Sequence, residues 1–131
     1  MNKYIYYAHS MKIYDTDREK DELKMIRDNW DDITVFCPNE DSPKRWEHMD
    51  SKGIMDDCLD YVHDSEFVVC SEYKDHIGKG VYREVELALE EDKEVYVLRD
   101  GEFEEVYTVL IADSNDWSIN FGKIVTREDM E

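Results

Sequence analysis

Residues 66–98 read EFVVCSEYKDHIGKGVYREVELALEEDKEVYVL, and this stretch decides the fold. Two short apolar runs, Phe67-Val68-Val69-Cys70 and Val95-Tyr96-Val97-Leu98, are rich in β-branched and aromatic residues. They bracket a glycine-bearing loop and a segment of helical periodicity, so the pattern predicts a β-α-β unit. In the helical segment Val81, Val85, Ala88 and Leu89 recur at i, i+4, i+7 and i+8, the spacing of a face packed on a sheet. Glu84 falls one position before Val85 and four after Gly80. That places a carboxylate in the first turns of the helix, above the carboxyl edge of a parallel sheet, where open α/β sheets form their ligand crevice.

Working outward, residues 3–8 form a first strand that runs into His9 and Ser10. Thr16 and Glu19 have the spacing of a capping box, and Leu23, Ile26 and Trp30 mark one face of the helix that follows. A second strand spans Ile33 to Cys37 and is ended by Pro38. From Asn39 to Lys52 the periodicity lapses, and a long unpatterned connection of this kind reads as a functional cover. Trp46 offers a stacking face for an aromatic ligand there, or else tucks the loop onto the body. Ile54, Cys58, Tyr61 and Val62 restore helical spacing before the central unit. Arg99-Asp100-Gly101-Glu102 reads as a hairpin turn, with Glu105 to Ala112 as the returning strand and 116–121 as another short one. The expected architecture is therefore α/β, a doubly wound and mostly parallel sheet of order 2-1-3-4 with helices on both faces and an antiparallel or irregular C-terminal addition. The 131 residues read as one domain, 1–131.

The formal charge of −18, from 34 acidic and 16 basic residues, argues against a nucleic-acid polymer as partner, because backbone binding needs clustered Lys and Arg. No apolar run approaches the ~20 residues of a membrane span. The three cysteines, at 37, 58 and 70, lack CxxC or Cys/His metal spacing and read as reduced, buried thiols. A cytoplasmic setting without membrane contact is expected. His48, His63 and His76 have no regular partner spacing, so no metal site and no organic cofactor are expected.

In the crevice of a 2-1-3-4 sheet the converging residues are Tyr6 inside the first strand, His9 and Ser10 beyond it, and Gly78, Lys79 and Gly80 at a helix N-terminus, where free N–H groups favour an anionic or polar ligand group. Glu84 stands among them. These residues resemble the nucleoside 2-deoxyribosyltransferase superfamily, including the 2′-deoxynucleoside 5′-monophosphate N-glycosidases. The likeness spans residues 4–98 and rests on Ile5-Tyr6-Tyr7-Ala8-His9-Ser10, on Asp64-Ser65-Glu66-Phe67-Val68-Val69, and above all on Gly80, Glu84 and Ala88.

The resemblance implies a flavodoxin-like fold and cleavage of an N-glycosidic bond by hydrolysis or base transfer. It implies Glu84 as the nucleophile or electrostatic partner at the anomeric carbon, Tyr6 as the hydrogen-bond donor that holds it, and Ser10 as a contact to sugar or 5′-phosphate. The acid that protonates the departing base falls nearest to Asp57, with Asp56 as the neighbouring choice, although strict spacing lands on Cys58. Gly78 stands where the phosphate-binding branch carries serine, which leaves Lys79 and Lys12 as the phosphate-side cations. The implied partner is a small-molecule nucleoside or nucleotide, and the implied assembly a homodimer or higher homo-oligomer. Part of the same pattern resembles Toll/interleukin-receptor domains, some of which cleave NAD through a glutamate. A non-enzymatic acidic module that binds a nucleotide or a protein is the third reading.

Overall fold

The computed structural model describes residues 3–112 and 120–130. Six strands, β1 (Tyr4–Ala8), β2 (Thr34–Phe36), β3 (Phe67–Ser71), β4 (Val95–Arg99), β5 (Glu102–Ile111) and β6 (Gly122–Thr126), form one sheet of order β2-β1-β3-β4-β5-β6. The first three pairings are parallel and the last two antiparallel. The helices are α1 (Asp17–Asn29), a single turn α2 (Pro38–Asp41), α3 (Ser51–Asp64) and α4 (Lys79–Glu90). This is the α/β, flavodoxin-like arrangement expected, with an antiparallel C-terminal hairpin.

The two-residue period of the strands sorts the core. Tyr6, Ala8, Val68, Cys70, Val95 and Val97 face α3 and α4, in a cluster that also takes Val81, Val85 and Ala88. Ile5, Tyr7, Phe67, Val69 and Leu98 face the other way and meet Leu23 and Ile26 of α1. Trp30, at the end of α1, packs edge-on against Phe67 and Phe103 and tilts against Tyr96, tying that helix across three strands. All three cysteines are free and buried. Among the described residues no helix is long and apolar enough to cross a membrane.

Local chemistry fixes the boundaries. Thr16 caps α1, its hydroxyl accepting from the Glu19 N–H at 3.3 Å. The reciprocal arm departs from the capping box, because Glu19 Oε1 accepts from the Asp15 N–H at 3.0 Å instead. Asp100 and Gly101 have φ of 51° and 79°, the two positive values of a type I′ turn, so Arg99 pairs at once with Glu102. The returning strand thus begins three residues earlier than the expected Glu105.

The 39–52 segment corrects the expectation of an unpatterned cover. It holds the end of α2, a 3-10 turn over Lys44–His48 and the start of α3, capped by Asp50. Pro38 opens α2 and Pro43 precedes the 3-10 turn. Turns this short cannot display a 3.6-residue stripe, so they leave no periodic signal. The strand expected over 116–121 lies outside the described residues except for its last two. The strand that follows, β6, was not anticipated from the sequence.

Candidate functional site

The chain leaves β1 for β2 on one side and returns to β3 on the other, so the sheet's direction of winding reverses between β1 and β3. A cleft of about 750 Å³ opens there. Its volume lies within the range of small-molecule sites. Tyr6, His9 and Ser10 enter from β1 and the loop after it, Gly78, Gly80, Val81 and Glu84 from α4, and Met55 and Cys58 from α3.

Glu84 is the centre of this cleft. It lies on the α4 stripe with Val81, Val85 and Ala88, is only 6 % exposed, and accepts a hydrogen bond from the Tyr6 hydroxyl. Among the described cleft residues it is the one carboxyl. Burial drives its pKa up from 4.5 to about 7, against the lowering effect of the Tyr6 hydrogen bond. Burial and then the charge of Glu84 push the Tyr6 phenol well above its ordinary value, so it stays a donor. Cys58 is likewise raised, to about 12, by burial and by Glu84.

The pair has a counterpart on the opposite face of β1. Tyr7 donates to Glu22, but Glu22 also receives Arg18 Nε at 3.1 Å and the Ser71 hydroxyl at 2.9 Å. Glu22 is a compensated structural carboxylate. Among the described residues Glu84 makes no ion pair, and its hydrogen-bond partner is the Tyr6 phenol.

Trp46 lines the cleft, but its indole is fixed from behind. Its Nε1–H donates to Asp57 Oδ2 at 2.8 Å, and its ring meets Tyr61 edge-on. Asp57 also accepts from Arg45 Nε at 2.8 Å. These two donors hold the Asp57 carboxyl below the usual aspartate value. Asp57 does not line the cleft; the adjacent Cys58 does. The assignment of Asp57 as proton donor to the departing base is therefore not supported by its surroundings. A carboxylate kept ionised by a cation and an indole N–H has no proton to give near neutral pH.

His9 borders the cleft, yet both ring nitrogens are engaged behind it: Nδ1 with the Tyr7 carbonyl at 3.2 Å and Nε2 with Glu19 Oε2 at 2.6 Å. It is thus a member of a buried cluster rather than a free ligand contact. Ser10 remains on the cleft wall, where its hydroxyl accepts from the Lys12 N–H at 3.1 Å and opens a 3-10 turn over Met11–Ile13. Gly78 caps α4 and Gly80 lies in its first turn, both against the cleft, while Lys79 between them is exposed and outside the lining. The approach to α4 is held by a tight turn bridging Tyr73 and His76, with Lys74 and Asp75 at positive φ, and by a bridge from Ile77 to Gly122.

Tyr14 and Lys12 were missed as site residues or given only a secondary place by the sequence reading. Both line the cleft. Tyr14 is half-buried, and burial followed by the charge of Glu84 raises its phenol. Their signal was weak because the loop after β1 has no periodicity to orient its side chains.

Neither protein-family models nor curated proteins give a match to this chain. A solved structure, described as a conserved protein from Enterococcus faecalis V583, is similar in fold. It aligns with a TM-score of 0.60 at 22 % identity over 74 % of this chain and 63 % of its own. The chain thus spans somewhat under two-thirds of that protein's length. The likeness supports the α/β fold and carries no function.

Proposed function

We propose that the protein cleaves the N-glycosidic bond of a 2′-deoxynucleoside or its 5′-monophosphate, by hydrolysis or base transfer, with Glu84 at the anomeric carbon. The observation that carries this reading is a buried carboxyl at the sheet's switch point, the one carboxyl among the described cleft residues, with no ion pair to any described residue and held by the Tyr6 hydroxyl. Departure of the base builds positive charge on the sugar ring. A carboxylate beneath that ring stabilises the charge or captures the sugar covalently. Its strength is greater in a site that excludes water, where no mobile dipoles screen it.

Tyr6 fixes the carboxylate and leaves its second oxygen free for the sugar. Trp46, Met55 and Val81 supply the apolar wall for the base. Tyr14 and Lys12, which face the cleft, donate hydrogen bonds to the leaving group or to a 5′-substituent. Asp57 takes no part in the proton transfer.

The test is release of free base from deoxynucleosides, their 5′-monophosphates, ribonucleotides and NAD, with and without an acceptor base, beside Glu84→Gln. Cleavage of a deoxy substrate that falls at least ~100-fold in a folded variant supports the reading. The rate should rise with pH through about 7, because the reaction needs the ionised carboxyl. Nicotinamide release alone would move the activity to NAD cleavage. No release from any substrate would remove Glu84 from catalysis.

A further inference from the structure

A second polar cluster lies at the same sheet edge, on the far side of His9. His9 follows β1, Cys37 follows β2, and Glu19 lies in the first turn of α1. All three are buried, and one ligating atom from each lies within 4.8 Å of the others. Within the set, His9 Nε2 is 2.6 Å and Cys37 Sγ 4.0 Å from Glu19 Oε2.

The orientation of His9 is the informative feature. Its Nδ1 faces the Tyr7 carbonyl, which can only accept, so that nitrogen carries the hydrogen. Its Nε2 then faces a carboxylate. A neutral imidazole has one N–H, so the second contact requires either a proton between Nε2 and Oε2, carried by one partner or the other, or a cation between them. A ring nitrogen donating to a backbone carbonyl while the other points at anionic ligands is the arrangement that supports a metal-bound histidine. Glu19 is oriented by its own outer contacts, since Oε1 accepts from the Asp15 N–H at 3.0 Å and from Asn39 Nδ2 at 2.9 Å. Asn39 is held in turn by Asp15. Oε2 is left directed at His9 and Cys37.

We propose that His9 Nε2, Glu19 Oε2 and Cys37 Sγ form a three-ligand site for a zinc-class divalent cation, bordering the cleft through His9. The donor set of imidazole, carboxylate and thiolate selects zinc or cobalt(II) over magnesium or calcium, which take oxygen ligands. Bond lengths of about 2.0–2.3 Å in a tetrahedron put ligand atoms roughly 3.3–3.8 Å apart. The His9–Glu19 contact therefore opens by about 0.7 Å and the Cys37–Glu19 contact closes by about 0.5 Å, while His9 Nε2 and Cys37 Sγ, within 4.8 Å of each other, close by up to about 1.2 Å, a change that side-chain rotation supplies. Charge balances: a divalent cation, one thiolate, one carboxylate and a neutral imidazole sum to zero in a buried place. As the sulfur–metal bond forms, the Cys37 thiol proton passes to solvent. The fourth position is left to water or a cleft ligand.

The inference does not depend on the N-glycosidase reading, and its test measures no activity. Chelator-treated protein is titrated with zinc and, separately, cobalt(II), then desalted and assayed for metal. The expected result is one metal per chain, a tetrahedral cobalt spectrum with a sulfur-to-cobalt charge-transfer band, and loss of that band in Cys37→Ser. Zinc should also raise Tm by roughly 10 °C at free metal about 100 times its Kd. Glu19→Gln, which retains hydrogen-bonding oxygen and size, should lose most of that rise while remaining folded. Failure of wild type to retain either metal overturns the site, as does binding that persists unchanged in Cys37→Ser and Glu19→Gln. In that case His9 and Glu19 form a buried hydrogen-bonded pair only.

Discussion

Replacing Glu84 by Gln provides a direct measure of what burial does to this carboxyl. The amide is close in size, keeps an oxygen to accept from Tyr6, and resembles the protonated acid. Burial raises Glu84 from 4.5 to about 7, so between these values the folded protein binds a proton that the unfolded chain has released. Stability must therefore fall with rising pH across that window. The favourable contribution is complete below about 4.5 and lost as pH passes about 7. The displacement corresponds to about 3 kcal/mol, or roughly 10 °C in Tm for a chain of this size.

Urea unfolding of wild type and Glu84→Gln from pH 4.5 to 8 reads this term as a difference, in which groups common to both proteins cancel. The curves should meet at the acid end and separate by about 3 kcal/mol at pH 8, with the variant the more stable and m unchanged. Parallel curves would refute the reasoning. They would mean that Glu84 is as well solvated when folded as when unfolded.

Asp57→Asn should leave base release within about tenfold of wild type, whereas loss of a true general acid costs about 10²–10⁴-fold; kcat measured with a deoxy substrate decides. Arg99 binds Glu72 through two hydrogen bonds, at 2.8 and 3.0 Å, and reaches Asp129 and the Ile124 carbonyl. Arg99→Met should cost about 2–4 kcal/mol in urea unfolding by leaving the Glu72 charge without its partner, and Arg99→Lys less. Gly122→Ala should cost about 3 kcal/mol, since its Cβ would sit 2.7 Å from Tyr82 Cδ2 and 3.0 Å from the Leu110 carbonyl. Gly101→Ala meets no atom within 4 Å and should cost only the backbone's ~1–2 kcal/mol at φ 79°.

The parts of the fold that were legible have long-range causes written locally. Buried strands produce β-branched runs, a helix on a sheet produces a stripe such as Val81, Val85 and Ala88, and Asp100-Gly101 has the chemistry of its turn. What escaped was either too short to repeat, as in α2 and the 3-10 turn at Lys44–His48, or depended on one residue's angle. Asp57 and Cys58 are neighbours in sequence but about 100° apart around α3. One faces Trp46 and Arg45, the other the cleft. His9, Glu19 and Cys37 illustrate the same limit more strongly, because three separate elements bring them together and no spacing relates them.

The strand period also explains why one of two similar pairs is the reactive candidate. Tyr6 and Tyr7 are consecutive, so their rings emerge on opposite faces of β1 and each meets a glutamate from a different helix. On the α1 face the glutamate, like Glu84 the sixth residue of its helix, lies one turn from Arg18, and the Ser71 end of β3 completes its hydrogen bonds. On the α4 face the glutamate lies in the second turn of a helix whose neighbouring stripe is Val81, Val85 and Ala88. Its partners are a phenol and apolar surface. The first environment neutralises a carboxylate and fixes three elements to one another. The second leaves a carboxylate costly until positive charge arrives, and the cleft is where such a charge would form.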